Sequence, residues 1–351
     1  MSRLQNRWFS PLRLKLLLLT FILAGASING IAWMQAYAMT HYSDSNAVKT
    51  PKPEQLSTLQ KARVIFTGVR VPRPLNTRTP ESVGLAYETH KIKLSNLNAD
   101  QSLLSTSTEE STQAYLETWI ITAENAKGIV LLFPQYGASK QSVLYPAKAF
   151  YDLGYSVMLL DPRGVGGSTG SDTTLGIREG EDVAHAVSYT EQRLARKHST
   201  QQQTSKQSII LYGASQGAAS VMRAVAHEGV KPDAVILESP FDNLLGTVRH
   251  RFTAAGIPSF PSAELMVFWG GIQQGINGFA HNPAEYAALM DCPVLLMHGR
   301  ADTRVTVEDA EAIYTQLPEK KELVLFDTVG HGAFASDYPQ QWAHAVNSFL
   351  P

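Results

Sequence analysis

The sequence predicts an α/β fold built on an open, mostly parallel sheet, with helices on both faces and an antiparallel start. Three observations carry this. Short apolar runs, "GIVLLF", "SVMLLD", "SIILYG", "AVILES" and "PVLLMH", with the more mixed "ELVLFD" after them, alternate with helical patterns along the chain. Runs that are apolar on both faces are what strands in a helix-covered parallel sheet require. Ahead of them "YETHKIKLS" and "AYLETWIIT" read as two antiparallel strands joined by the polar loop "STSTEESTQ". No internal repeat interrupts the pattern.

Taken in chain order, the first element is apolar. Arg3, Arg7, Arg13 and Lys15 precede the uncharged run "LLLLTFILAGASINGIAWMQAYAM", Leu16 to Met39. This run is long enough to cross a bilayer, whereas a signal-peptide core spans about 7 to 15 residues. An uncleaved membrane anchor over residues 1–39 is therefore favoured over a cleaved signal, although "AGA" and "AYA" would suit a signal peptidase and Asn29 and Gln35 weaken the span. The basic residues should stay cytoplasmic and place the rest of the chain in the exported space, periplasmic or extracellular; cleavage would leave it secreted. Residues 40–86 are polar and proline-punctuated ("TPKPEQ", "VPRPLNTRTPES") and read as a linker or surface-hugging arm. The folded domain should span 87–351.

Whole-chain properties limit the function. The formal net charge of the 351-residue chain is −1, and "RLARKH" reads as the solvated end of a helix, so nothing points to nucleic acid. The single cysteine, Cys292, excludes an internal disulfide and Cys-based zinc sites, and reads as a small buried core residue. Composition does not reveal the oligomeric state.

The segment "LYGASQG" places Ser215 at the turn between the strand "SIILYG" and the helix "QGAASVMRAVAHEG". A strand-to-helix turn this tight strains the serine and leaves no room for side chains two residues on either side, which accounts for Gly213 and Gly217. A nucleophilic serine needs a histidine base, and that histidine a carboxylate. In an α/β sheet both belong in loops at the carboxyl ends of later strands. Asp302 follows "PVLLMHG" and His331 follows "ELVLFD". Glu238, ending "AVILES", is the alternative acid, and His298 reads as a packing residue at a strand end.

The domain from about Tyr87 onward resembles the α/β-hydrolase superfamily, in particular its serine-aminopeptidase-like and membrane-anchored esterase-like branches. The order Ser215, Asp302, His331 is that family's order. "DPRGVGGSTG" (Asp161 to Gly170) is similar to its D-x-R-G-x-G-x-S loop, "ESPF" to the segment after its sixth strand, and "HNPAEYA" to the lead-in to its seventh. The likeness implies that Asp161 and Arg163 are an architectural charged pair bracing their loop. It also implies an oxyanion hole formed by the backbone N–H groups of Gln216 and of Tyr136, although Pro134 and Gln135 replace the usual His-Gly. Between "ESPF" and "CPVLL" a small cap over about 242–290 is expected, with Leu265, Met266, Phe268, Trp269 and Ile272 at helical spacing either packing on the domain or covering an apolar acyl pocket.

The expectation is a serine hydrolase acting on a small-molecule or lipid-like ester, thioester or amide through an acyl-enzyme, without metal or organic cofactor. Two alternatives remain at this point: an aminopeptidase-type peptidase, for which the cap shows no acidic cluster beyond Glu264 and Glu285, and an inactive membrane-anchored binding protein on the same scaffold.

Overall fold

A computed structural model describes residues 11–51, 56–94, 113–200, 207–332 and 334–350. Most of the loop "STSTEESTQ", together with Arg3 and Arg7, lies outside the described residues. The chain begins with the helices α1 (Pro11–Thr40) and α2 (Thr58–Thr67), followed by the strands β1 (Glu88–Lys93), β2 (Tyr115–Ile121) and β3 (Gly128–Phe133). Next come α3 (Leu144–Asp152), β4 (Ser156–Leu160), α4 (Ile177–Thr200), β5 (Ser208–Ala214), α5 (Gln216–His227) and β6 (Ala234–Glu238). The helices α6 (Leu244–Ala254), α7 (Ser262–Gln274) and α8 (Pro283–Ala287) precede β7 (Val294–Gly299), α9 (Val307–Gln316), β8 (Lys321–Phe326), α10 (Phe334–Asp337) and α11 (Pro339–Phe349).

The eight strands form one sheet in the order β1-β2-β4-β3-β5-β6-β7-β8. β1 pairs antiparallel with β2 and β2 with β4, and every later pairing is parallel. This is the α/β-hydrolase fold. Along β3, Ile129, Leu131 and Phe133 face one apolar layer while Val130 and Leu132 face the other. Residues from α4, α5 and α9 (Val183, Val221, Ile313) fill the first layer, and residues from α3 and α11 (Phe150, Trp342, Val346) the second. Two covered faces explain why the strands read as unbroken apolar runs.

The chain leaves β3 for β4 on one side and returns to β5 on the other, so β3 and β5 are neighbours, with Phe133 opposite Gly213. A crevice outside the carboxyl ends of two strands at such a switch point is where this architecture places ligands.

Two features differ from the sequence reading. Residues 40–86 carry a helix, α2, started by a capping box in which the Ser57 side chain accepts from the Gln60 N–H and the Gln60 side chain accepts from the Ser57 N–H. The S-x-x-Q pattern was its sequence signal, obscured by the polar and proline-rich surroundings. The segment also packs on the domain: Val71 and Leu85 are buried, and the Arg73 guanidinium donates to the carbonyls of Gly166, Ser168 and Gly170.

Second, Asp161 and Arg163 do not pair with each other. Asp161 accepts from the buried Lys140 ammonium (2.5 Å), the Lys140 and Gly167 N–H groups and the Asn76 amide. Arg163 forks onto Asp182 and reaches Glu181. A buried charge needs a close opposite charge. Neighbours in sequence whose side chains diverge find that charge on different elements, so the loop is braced by two pairs.

Candidate active site

Ser215 sits between β5 and α5 with φ 52° and ψ −112°, a backbone that L-residues seldom adopt. The flanking glycines are steric necessities. A Cβ on Gly213 would lie 2.5 Å from the Gly217 carbonyl oxygen, and one on Gly217 would lie 2.3 Å from that of Phe133. The Ser215 N–H donates to the Glu238 carbonyl at 2.7 Å, tying the turn to the end of β6.

His331 bridges two partners. The Ser215 hydroxyl meets His331 Nε2 at 3.0 Å, and His331 Nδ1 meets Asp302 Oδ2 at 2.6 Å. The other Asp302 oxygen accepts from the N–H groups of Arg304 (2.9 Å) and Val305 (3.1 Å). Burial alone would raise the Asp302 carboxyl, but the His331 bond and charge and the two backbone donors outweigh it and hold the group below the ordinary aspartate value. An imidazole held between a hydroxyl and an ionised carboxylate can accept the hydroxyl proton.

Gly299, at the end of β7, shapes the candidate site and was missed in the sequence. A Cβ there would lie 2.3 Å from the Val329 carbonyl oxygen, so only glycine lets the loop carrying His331 come down onto the Asp302 turn. The Ala301 N–H donates to that same carbonyl at 2.9 Å. The "HG" dipeptide that closes the strand was the available signal.

The alternative residues face elsewhere. Glu238 points into the opposite layer, where its carboxylate accepts from Trp342 Nε1 at 2.6 Å and bonds with Tyr212; burial pushes it up to about 7. His298 is fully buried, bonds to the Val305 carbonyl at 3.1 Å and lies 4.0 Å from Asp302. Burial lowers its pKa, so it packs beside the carboxylate as a neutral ring. Cys292 is buried, and its thiol is raised to about 11, chiefly by burial.

Gln216 opens α5, so its backbone N–H is one of the first-turn donors without an intrahelical partner. Its side-chain amide donates to Thr173 Oγ1 at 3.1 Å, and Thr173 is in turn held by the buried Glu179. Tyr136 follows β3 on a turn closed by Ala138 N–H to the Gln135 carbonyl, and that loop packs against the first turn of α5 at Gly217. The Tyr136 hydroxyl, pushed up to about 12 mainly by burial, donates to the Met39 carbonyl of α1 at 2.7 Å. The Thr173 N–H donates to the Thr40 carbonyl at 2.8 Å. The end of α1 is thus bonded both to Tyr136 and to the loop that holds Gln216.

The predicted cap region contains α6, α7 and α8. Its helix α7 packs on α1: Trp269 Nε1 donates to Asn29 Oδ1 at 3.1 Å, and Gln273 Nε2 to the Trp33 carbonyl at 2.8 Å. Gln35, also in the apolar run, donates to the carbonyls of Val64 and Ile65 at the end of α2. Asn29 and Gln35, which weaken the span in the sequence, are contacts with α7 and α2.

A family model described as the prolyl oligopeptidase family matches residues 142–351. The lysophosphatidylserine lipase ABHD12 of Danio rerio is 26% identical over 282 residues, covering 76% of this chain and 68% of that protein. The protein YqkD of Bacillus subtilis is 25% identical over 204 residues, covering 57% of this chain and 64% of its own length. Among solved structures, an esterase of Pyrococcus furiosus, Pf2001, superposes with a TM-score of 0.59 at 21% identity, covering 80% of this chain and 98% of that one.

Proposed function

The chain belongs to the prolyl oligopeptidase family of α/β-hydrolases, and from that membership we propose that it is a serine hydrolase of the esterase or lipase kind. One observation carries the reading: His331 lies within hydrogen-bond reach of both Ser215 and Asp302. In the proposed cycle His331 takes the Ser215 proton as Oγ bonds to the substrate carbonyl carbon. The Gln216 and Tyr136 backbone N–H groups receive the oxyanion. His331 then passes the proton to the departing alcohol, thiol or amine, and water, deprotonated by the same ring, releases the acyl group.

An ester or thioester of a lipid-like acid is the favoured substrate. The Danio rerio relative is named for a lipid. An aminopeptidase would need an unpaired carboxylate to receive a peptide amine; in the cap Glu264 is paired with Arg249 at 2.5 Å, Glu285 is bonded by the Asn282 amide, and Asp242 accepts from the Asn243 N–H and amide.

The reading also includes a retained anchor and an exported domain. Within Leu14–Thr40 an 18-residue window reaches a mean hydropathy of 1.9, and Leu16, Leu17, Leu18, Leu19, Phe21, Ile22 and Leu23 are exposed. Cleavage after "AYA" would remove Asn29, Gln35 and Ala36, which hold the domain or pack within it, so a retained helix fits the contacts better. The test is labelling of the full-length chain with a fluorophosphonate. Labelling at Ser215 that disappears in Ser215→Ala is expected, and absence of labelling in the wild type would overturn the reading.

A further inference from the structure

Glu179, in the first turn of α4, is buried, and its carboxylate is enclosed by donors from the short segment that leads into the helix. Oε1 accepts from the Thr173 hydroxyl (2.5 Å) and the Thr174 N–H (3.0 Å), and Oε2 from the Thr174 hydroxyl (2.8 Å) and the Gly176 N–H (2.9 Å). The segment turns sharply, with φ 59° at Leu175 and 121° at Gly176, and at Leu175 this is a backbone that L-residues seldom adopt. It is held from outside as well: the buried His281 Nε2 donates to the Leu175 carbonyl at 3.1 Å, and the Thr173 N–H donates to the Thr40 carbonyl at 2.8 Å.

A carboxylate at this point sets the direction of the hydrogen bonds around it. A hydroxyl carries one proton and accepts through its lone pairs. Thr173 gives its proton to Glu179, so its oxygen can only accept, and it accepts from the Leu175 N–H and from Gln216 Nε2, both at 3.1 Å. The Gln216 amide is thereby locked in one of its two orientations. The lock has a visible cost: Gln216 Oε1 is buried without a hydrogen-bond partner among the described residues. A buried acceptor left unmet is unfavourable and persists only where its surroundings enforce it. Gln216 directly follows Ser215, and the Ser215 carbonyl, on the same peptide as the Gln216 N–H, accepts from the Ala219 N–H at 3.0 Å. That peptide is therefore held on one side by α5 and on the other, through the amide, by Thr173.

We propose that Glu179 and Thr173 are positioning residues that, through the locked Gln216 amide, aim the Gln216 backbone N–H at the oxyanion formed on attack by Ser215. The proposal rests on the serine-hydrolase reading above and deepens it. A preorganised donor works only where the oxyanion arrives, and a misplacement of about 1 Å costs on the order of 10²-fold in rate. Neither side chain touches the reacting atoms. Their loss should slow the step in which the oxyanion forms while leaving binding of the uncharged ground state nearly as it was.

The test compares an oxygen ester with its thiono counterpart, in which sulfur replaces the carbonyl oxygen, on the full-length chain in detergent. Sulfur is larger and a weaker acceptor, so the ratio of the two kcat/KM values reads the oxyanion donors, whereas general damage to the fold lowers both together. Thr173→Val and Glu179→Gln should each lower kcat for the oxygen ester on the order of tenfold or more, with KM within about threefold of wild type. Each should also lower the oxygen-to-thiono ratio by about fivefold or more, while Thr173→Ser, which keeps the hydroxyl, should hold it within about twofold. Gln216→Leu leaves the hydrogen bonds of Glu179 in place and carries the same test if Thr173→Val or Glu179→Gln fails to fold. It should match Thr173→Val, and the double variant should be no worse than either alone. A wild-type ratio in Thr173→Val or in Gln216→Leu would reduce the network to bracing of its own loop and overturn the proposal; with fluorophosphonate labelling of the wild type intact, the hydrolase reading would stand. A wild type that fails to label would reject both.

Discussion

The loops at the carboxyl ends of β5, β7 and β8 and the contact between α1 and the cap each hold a few groups in place, by opposite means. In the loops, position comes from backbone pressed against backbone. Gly213, Gly217 and Gly299 stand where any side chain would lie within 2.6 Å of a main-chain atom, and Asp302 is fixed by two main-chain N–H groups. At the α1 contact, position comes from long side chains reaching helix carbonyls or one another, as Gln35, Gln273 and Trp269 do. The first arrangement has no slack, so one change should remove function. The second is distributed, so single changes should erode function in steps.

The largest effects should therefore fall on the loops. Ser215→Ala and His331→Ala should each remove nearly all turnover, and Asp302→Asn should lower kcat on the order of 10⁴, with circular dichroism unchanged in all three. Gly299→Ala should approach the same loss by a different route, because displacing the Val329 carbonyl moves His331. Retention of more than a tenth of wild-type kcat in Gly299→Ala would show that the loops do have slack.

The same contrast explains what could be read from the sequence. The strand runs were visible because both sheet faces are buried, and Ser215, Asp302 and His331 could be proposed as a group because each follows such a run; the fold brings the three within hydrogen-bond reach. Gly299 passed unnoticed because its requirement comes from a chain segment about thirty residues further on. The relation of α1 to the cap was hidden for a stronger reason: Asn29 and Trp269 are 240 residues apart, and polar residues in an apolar run look like defects until a partner is placed beside them. Asp161 and Arg163 failed in the same way, since the family likeness implied a pair while their actual partners, Lys140 and Asp182, came from elsewhere in the chain.

An intermediate effect is expected at the α1 contact. Removal of residues 1–38 takes away Ala36 and every residue of the helix before Met39, and frees the end that holds Tyr136 and Thr173. In detergent, where membrane attachment no longer matters, the shortened chain should lose at least tenfold in kcat/KM for every acyl length. Gln35→Leu alone gives up two hydrogen bonds to α2, each worth about 1 kcal/mol, and should lower Tm by a few degrees while keeping most activity. If the truncated chain matched the full-length enzyme, the helix would be a tether only.

The smallest effect on catalysis, and the sharpest test of the contrast, is at Glu238. It shares a strand end with the loop cluster, yet its carboxylate faces Trp342 and Tyr212 in the opposite layer. Glu238→Gln should leave kcat within about twofold of wild type; a loss comparable with that of Asp302→Asn would move the acid role to Glu238. Its signature should appear in stability. Burial raises the folded-state pKa to about 7 from the ordinary 4.5, so the folded protein holds a proton that the unfolded chain has released. Stability from this group is complete below about pH 4.5, falls as pH rises through about 7, and changes little beyond. Glutamine accepts the same Trp342 N–H but does not titrate. Between pH 5 and 8 the Tm of Glu238→Gln should therefore decline less than that of wild type, and parallel profiles would show that Glu238 is already ionised across that range.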